Sequence, residues 1–270
     1  MIEARDILVD GLARPRLAGV HCEIAAGEFV AVLGPNGAGK STLLRVLAGD
    51  LRPSSGSVTL DGIALHDWSY ESLARRRAVL APSVPGLSWP VKEIVALGRL
   101  PHPRNPAQDA RVVAEALVVA GLERMAARVF AQLSAGEQAR VQFARCLAQI
   151  EPRNDGLLLM DEPVAHADLR HQHALLAVAR ERARRGGGVL AVLHDPNQAL
   201  HYADRVLVLR EGRCVCSGPP HEVLCPDVLS DIYEVSVRRA FDSEGIGFFG
   251  VLPEAAARLS NIFREGGHTP

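Results

Sequence analysis

The feature that most constrains this chain is the run Gly34-Pro35-Asn36-Gly37-Ala38-Gly39-Lys40-Ser41-Thr42, which fits the phosphate-binding pattern G-x-x-x-x-G-K-[ST]. Its flanks are of the right kind. Phe29 to Leu33 is apolar and partly β-branched and predicts a buried strand, while Leu43, Leu44 and Leu47 predict one apolar helix face that stops at Gly49. A strand, a glycine-rich turn and a helix N-terminus aim successive backbone N–H groups at one point, which suits a triphosphate. Lys40 would reach the outer phosphates as a point charge, and the Ser41 hydroxyl would bind Mg²⁺. Lysine is otherwise scarce: Lys40 and Lys92 are the only two.

The remaining chain supplies the setting. With 270 residues and 48% apolar content it has enough material for a substantial core. Thirty Lys and Arg oppose 31 Asp and Glu, so no net field favours nucleic acid or an anionic membrane surface, and no nucleic-acid partner is expected. Neither a signal peptide nor an apolar run of transmembrane length is visible, so a cytosolic chain is expected. Five cysteines lack paired C-x-x-C spacing; Cys214 and Cys216 alternate along a predicted strand and so are expected on one face, as packing residues. His171 and His173 do not face each other on a helix, and no metal is assigned to them.

Taken in order, strands broken by turns fill Ile2 to His21, and Ser57 to Leu60 is a strand whose Asp61-Gly62 turn predicts a hairpin. These predict a small β unit beside the phosphate loop. Helical spacing in Val113, Ala116, Leu117 and Ala120, and again from Gln138 to Ile150, predicts a helical insertion. Leu157 to Met160 is too continuously apolar for a half-exposed strand and belongs inside a parallel sheet. A helix from about Asp168, strands at Val189 to Leu193 and Val206 to Leu209, and a Glu211-Gly212 turn complete an α/β alternation. The chain beyond Pro219 carries no chemical motif and reads as packing or partner surface.

Asp161 and Glu162 close the strand ending in Met160, at the edge where α/β sheets bind ligands. In that place Asp161 would hold Mg²⁺ and Glu162 would orient or deprotonate an attacking water. Ser134 and Glu137 have S-x-x-E spacing and predict a capping box for the helix that follows.

Leu133-Ser134-Ala135-Gly136-Glu137-Gln138 resembles the LSGGQ-type signature of ATP-binding cassette (ABC) ATPases, with Ala135 where glycine is usual. Together with the phosphate loop and Asp161-Glu162-Pro163, it makes the sequence resemble that family over nearly its whole length. The resemblance implies a P-loop NTPase of the ABC type: a RecA-like core sheet with an antiparallel β subdomain (1–88 and 152–218), an inserted helical subdomain (89–151) and a C-terminal extension (219–270). It implies that Ala165-His166-Ala167-Asp168 is the D-loop, with Asp168 at the dimer contact, and that His194 contacts the γ-phosphate. It also implies a homodimer closing head to tail, each ATP between Lys40 of one copy and Ser134, Ala135, Gly136 and Glu137 of the other. Closure would drive a two-subunit transmembrane permease, docked near Trp89 to Gly98, with a periplasmic substrate-binding protein in the complex. The chain would then lie on the cytoplasmic face of the bacterial inner membrane.

Two departures stand out. The family's glutamine after the strand near Leu80 is replaced by Ala81-Pro82-Ser83, and Leu12 to Leu17 lacks the aromatic that stacks on adenine, leaving the base to aliphatic contact or to an arginine such as Arg14 or Arg16. Modest ATP affinity is expected. Leu97-Gly98-Arg99, His194-Asp195-Pro196-Asn197-Gln198-Ala199 and Gly218-Pro219-Pro220 resemble type II importers for haem, iron-siderophores and cobalamin. Asp168 to His173 and Ile232 to Val237 look most like the haem importers. The siderophore or cobalamin importers, a soluble repair or translation ATPase, and a degenerate regulatory cassette stay open as alternatives.

Overall fold

The computed structural model describes residues 1–81, 88–163, 168–241, 243, 245 and 247–251. Pro82-Ser83 of the missing-glutamine segment, Ala165-His166-Ala167 of the expected D-loop and the tail from 252 onward lie outside them.

Two sheets are built from strands of different character. β1 (Ile2–Val9) and β2 (Leu17–Ile24) pair antiparallel. β3 (Phe29–Leu33) runs into the phosphate loop and α1 (Lys40–Ala48), which Gly49 terminates in the left-handed region at φ 78°. β4 (Ser55–Leu60) pairs with β1 and turns through Asp61 and Gly62, at φ 53° and 79°, into β5 (Ile63–Ala64). Two consecutive positive φ values are what a tight primed hairpin turn needs. The antiparallel sheet is ordered β2-β1-β4-β5.

After α2 (Tyr70–Arg76), β6 (Arg77–Leu80) enters the second sheet. Three helices follow before the sheet resumes: α3 (Val91–Ala96), α4 (Pro106–Val119) and α5 (Ala135–Ile150). Buried Arg99 ties them together: its guanidinium donates to Asp109 on α4 at 2.9 Å and to the carbonyls of Ala148 and Glu151, at the end of α5, at 2.8 and 2.6 Å.

The second sheet is completed by β7 (Leu157–Asp161), β8 (Gly188–Val192), β9 (Arg205–Arg210) and β10 (Arg213–Gly218), with α6 (Leu169–Arg184) and α7 (Pro196–Tyr202) between them. Its order is β10-β9-β3-β8-β7-β6, all parallel except the β9–β10 pair. Both faces are covered. Phe29, Ala31, Leu158, Met160, Val189 and Ala191 pack toward the helices, while Val30, Val32, Leu157, Leu159, Leu190 and Val192 pack toward α1 and the antiparallel sheet. This two-sided burial is why these strands read as unbroken apolar runs. Beyond them lie α8 (Pro220–Val223), α9 (Pro226–Tyr233) and a hairpin of β11 (Val237–Phe241) and β12 (Gly247–Val251).

The expectation that Cys214 and Cys216 share a face is corrected. Cys214 stands opposite Leu209 and Cys216 opposite Val208, a register shift that inserts an extra residue on β10. The bulge reverses the alternation, so Cys214 packs on the antiparallel-sheet side and Cys216 on the helix side. Among the described residues no group of three or more His, Cys, Asp and Glu is placed to hold a metal ion, and no helix is long and apolar enough to cross a membrane.

Candidate functional site

The parallel order places the C-terminal ends of β3, β7 and β8 side by side, and the motif residues leave the sheet there. Past the end of β3 the loop runs so close to β9 and to the residue before β2 that two glycines are required. A Cβ on Gly34 would meet the Leu209 carbonyl oxygen at 2.1 Å, and one on Gly39 would meet the Arg16 carbonyl oxygen at 2.6 Å. Gly39, at φ 103°, opens α1 without any side-chain cap. The first amides of α1 therefore have no side chain competing for them. Lys40, buried, folds its ammonium onto the carbonyls of Gly34 and Pro35 at 2.7 and 2.9 Å. Burial lowers its pKa, against the opposing pull of Glu162 and Asp161.

Ser41 donates its hydroxyl to Asp161 Oδ1 at 3.1 Å, joining α1 to the end of β7. Burial raises the Asp161 carboxyl above its ordinary value and the Ser41 hydrogen bond opposes that rise. A hydroxyl and a carboxylate in contact form a hard oxygen pair, the donor type Mg²⁺ takes, so these residues fit the ion. Glu162 adopts φ 48°, the left-handed region that a residue with a Cβ rarely enters. Backbone strain of this kind costs on the order of 1–3 kcal/mol and clusters at working sites. Its effect here is to turn Glu162 toward β8, where Oε1 lies 2.8 Å from Nε2 of His194. His194 in turn follows Leu193, whose N–H donates to Val32 on β3 at 3.1 Å.

Two cavities flank the loop. One, of about 370 Å³, is lined by Arg14, Arg16, Lys40, Ser41, Glu162 and Glu211 among others. Arg14 is paired with Glu211 at 3.0 Å, so two arginines stand where the sequence lacks an aromatic. The other, of about 490 Å³, has Gly34, Asn36, His194, Arg210, Tyr233 and Glu234 in its wall.

Ser134, Ala135, Gly136 and Glu137 line neither cavity. Ser134 is the N-cap of α5 and the reciprocal box is complete: the Glu137 N–H donates to Ser134 Oγ at 3.3 Å, and the Ser134 N–H donates to Glu137 Oε2 at 2.8 Å. That contact with the Ser134 amide holds the Glu137 carboxyl below its usual range. Asp168 is the N-cap of α6, accepting from the His171 N–H at 2.9 Å and lying 2.7 Å from His171 Nδ1. His173 instead contacts the Tyr202 hydroxyl, so the two histidines have separate partners. The part of the site that motif reading missed is Arg210, Tyr233 and Glu234. Nothing in the apolar spacing of α9 marks a helix that ends beside a loop formed in the first sixth of the chain.

A family model for the ABC transporter matches residues 17–165. The hemin import ATP-binding protein HmuV of Nocardia farcinica is 47% identical over 241 residues, covering 86% of this chain and 82% of that protein. HmuV of Pseudomonas aeruginosa is 44% identical over 243 residues, with 88% and 95% covered. Among solved structures, a metal-chelate type ABC transporter in an inward-facing conformation superposes with a TM-score of 0.76 at 25% identity, covering 93% of this chain and 97% of that one. The ATP-binding cassette MJ0796, a dimer in a post-hydrolysis state bound to ADP and phosphate, superposes with a TM-score of 0.71 at 25% identity, with 82% and 99% covered. On the loop geometry, the sheet order and these likenesses, the chain belongs to the ABC transporter family.

Proposed function

We propose that this chain is the ATP-hydrolysing subunit of a type II ABC importer and energises haem uptake through a separate membrane permease. The observation that carries the chemistry is the convergence of Lys40, Ser41, Asp161, Glu162 and His194 at the ends of three adjacent strands. The cargo follows from the relatives, which are named for hemin import.

ATP would lie with its phosphates over the backbone of Gly34 to Thr42 and its base toward Arg14 and Arg16. Lys40 exchanges its two loop carbonyls for phosphate oxygens. Ser41 and Asp161 would hold Mg²⁺, which supplies charge neutralisation at the phosphates. Glu162 takes the proton of the water whose oxygen bonds to the γ-phosphorus as the bond to ADP breaks. Glu162 pairs with His194 at 2.8 Å, and in the reaction His194 would turn to the γ-phosphate and Glu162 to the water. Ser134 to Glu137 act on the ATP of a second copy, and Asp168 lies at the contact between the copies.

The permease docks at Trp89, whose side chain is 51% exposed. From there a hydrogen-bonded ribbon leads to α5: Val91 N–H to Arg128 O and Phe130 N–H to Trp89 O, both 2.9 Å. Movement of the permease is thereby transmitted to Ser134. The complex sits at the cytoplasmic face of the inner membrane and receives cargo from a periplasmic binding protein. The test is reconstitution with a type II importer permease and its periplasmic binding protein, measuring ATP-driven uptake of haem, cobalamin and a ferric siderophore. Haem uptake alone is expected. Uptake of another cargo overturns the haem assignment, and failure to associate with any permease overturns the importer.

A further inference from the structure

The last described elements, α9 and the β11–β12 hairpin, reach the nucleotide site from two sides and are unused in the chemistry above. Asn197 stands in the first turn of α7, three residues after His194. Its side chain spends both polar ends on one backbone residue of β12: Nδ2 donates to the Phe249 carbonyl at 3.1 Å and Oδ1 accepts the Phe249 N–H at 2.7 Å. The Asn197 N–H is itself held by Asp195 Oδ1 at 2.8 Å. His194 is therefore followed at once by a helix start clamped to the hairpin.

The hairpin has its own anchors. Phe249 is 6% exposed, inside the helix-side core, and the Arg239 guanidinium lies 5.7 Å over its ring and 5.3 Å over that of Phe241. The Val237 N–H donates to Ser230 Oγ at 3.0 Å, joining the hairpin to α9. At the end of α9, Tyr233 lies against the phosphate loop, its hydroxyl buried beside the Gly34 amide without a hydrogen bond of good geometry. Between hairpin, α9 and α7 a cavity of about 350 Å³ remains, with His194, Tyr233 and Phe249 in its wall. Beside that cavity the two Asn197 bonds join α7 to β12.

We propose that Asn197 is a positioning residue for ATP hydrolysis: by fastening the start of α7 to β12, it holds His194 at a set distance from the phosphate loop, which the same C-terminal segment touches through Tyr233. The inference rests on reading His194 as the γ-phosphate contact. A positioning role acts on the chemical step and leaves ATP capture by the loop untouched.

The test measures steady-state ATP hydrolysis and thermal melting of the full chain carrying Asn197→Ala, Asn197→Asp, Tyr233→Phe or His194→Ala. Asn197→Ala is expected to lower kcat about tenfold with KM for ATP within about twofold and the melting midpoint nearly unchanged. Asn197→Asp keeps the acceptor and loses the donor, so about a threefold loss is expected. Tyr233→Phe, which removes no packing, should lose about twofold or less. An Asn197→Ala kcat equal to wild type overturns the proposal, and so does a loss in which KM rises and the midpoint falls in step, since that is general loosening. If His194→Ala is inactive while Asn197→Ala is normal, only this inference fails; if His194→Ala turns over normally, the assignment of His194 fails and takes this inference with it.

Discussion

The starts of α1 and α5, both of which the proposed function sets against phosphate, are built in opposite ways. α1 opens on Gly39 with no side-chain cap, behind a loop whose tight turns demand glycine at Gly34 and Gly39. α5 opens on a complete capping box, in which Ser134 and Glu137 satisfy each other's backbone amides. An uncapped start holds a high charge well and is unstable without it, whereas a capped start is stable alone and has only a hydroxyl and small residues to present. The difference suits the proposed division of labour, in which the α1 end would grip nucleotide within one copy and the α5 end would engage only when a second copy presents its ATP.

The largest effect that could break this comparison is at Glu162. Glu162→Gln is expected to cut phosphate release by at least about a hundredfold while leaving nucleotide binding intact, so that ATP traps a dimer visible by light scattering. Unchanged turnover would remove Glu162 from the chemistry.

Next in size is a complementation experiment. Lys40→Ala and Ser134→Ala should each be nearly inactive alone. Mixed in equal amounts, random pairing makes about half of the dimers hybrid, and each hybrid holds one site with both residues native, so roughly a quarter of the wild-type rate should return. If the two helix starts served the same nucleotide within one copy, no activity would return on mixing.

The smallest effect tests the capped end by itself. Glu137→Ala removes one half of the box and should lower the melting midpoint by about 2–4 °C near neutral pH. Because the folded protein depresses the Glu137 pKa, its contribution is fully present above the unfolded-state value and is lost as pH falls through the folded-state value. The melting difference between wild type and Glu137→Ala should therefore shrink in acid, and a constant difference would deny the carboxylate its role in the cap.

Much of the fold was legible because its signals are local. The apolar run Phe29 to Leu33, the Gly49 stop and the Asp61-Gly62 turn all depend on residues adjacent in sequence, and each corresponds to an observed strand, cap or hairpin. The S-x-x-E spacing likewise announced the box at Ser134. Alternation failed at Cys214 and Cys216, since a bulge is a property of the pairing with β9 and leaves no mark on β10 alone. The contacts of Asn197 with Phe249, and of Tyr233 with the phosphate loop, were equally invisible, for they join segments with no shared periodicity.

What the chain determines by itself is the set of short-range devices: which stretches bury both faces, where glycine must stand, and which side chains can carry phosphate, a metal ion or a proton. The tertiary structure alone decides that β8 lies beside β3 and β7 beside β8, which brings Asp161 to Ser41 and His194 to Glu162. It also decides that the C-terminal hairpin closes on α7. The physical reason is range: turns and caps are settled by sterics and hydrogen bonds within a few residues, whereas strand order comes from burying two apolar faces at once, a condition that only the whole chain can satisfy.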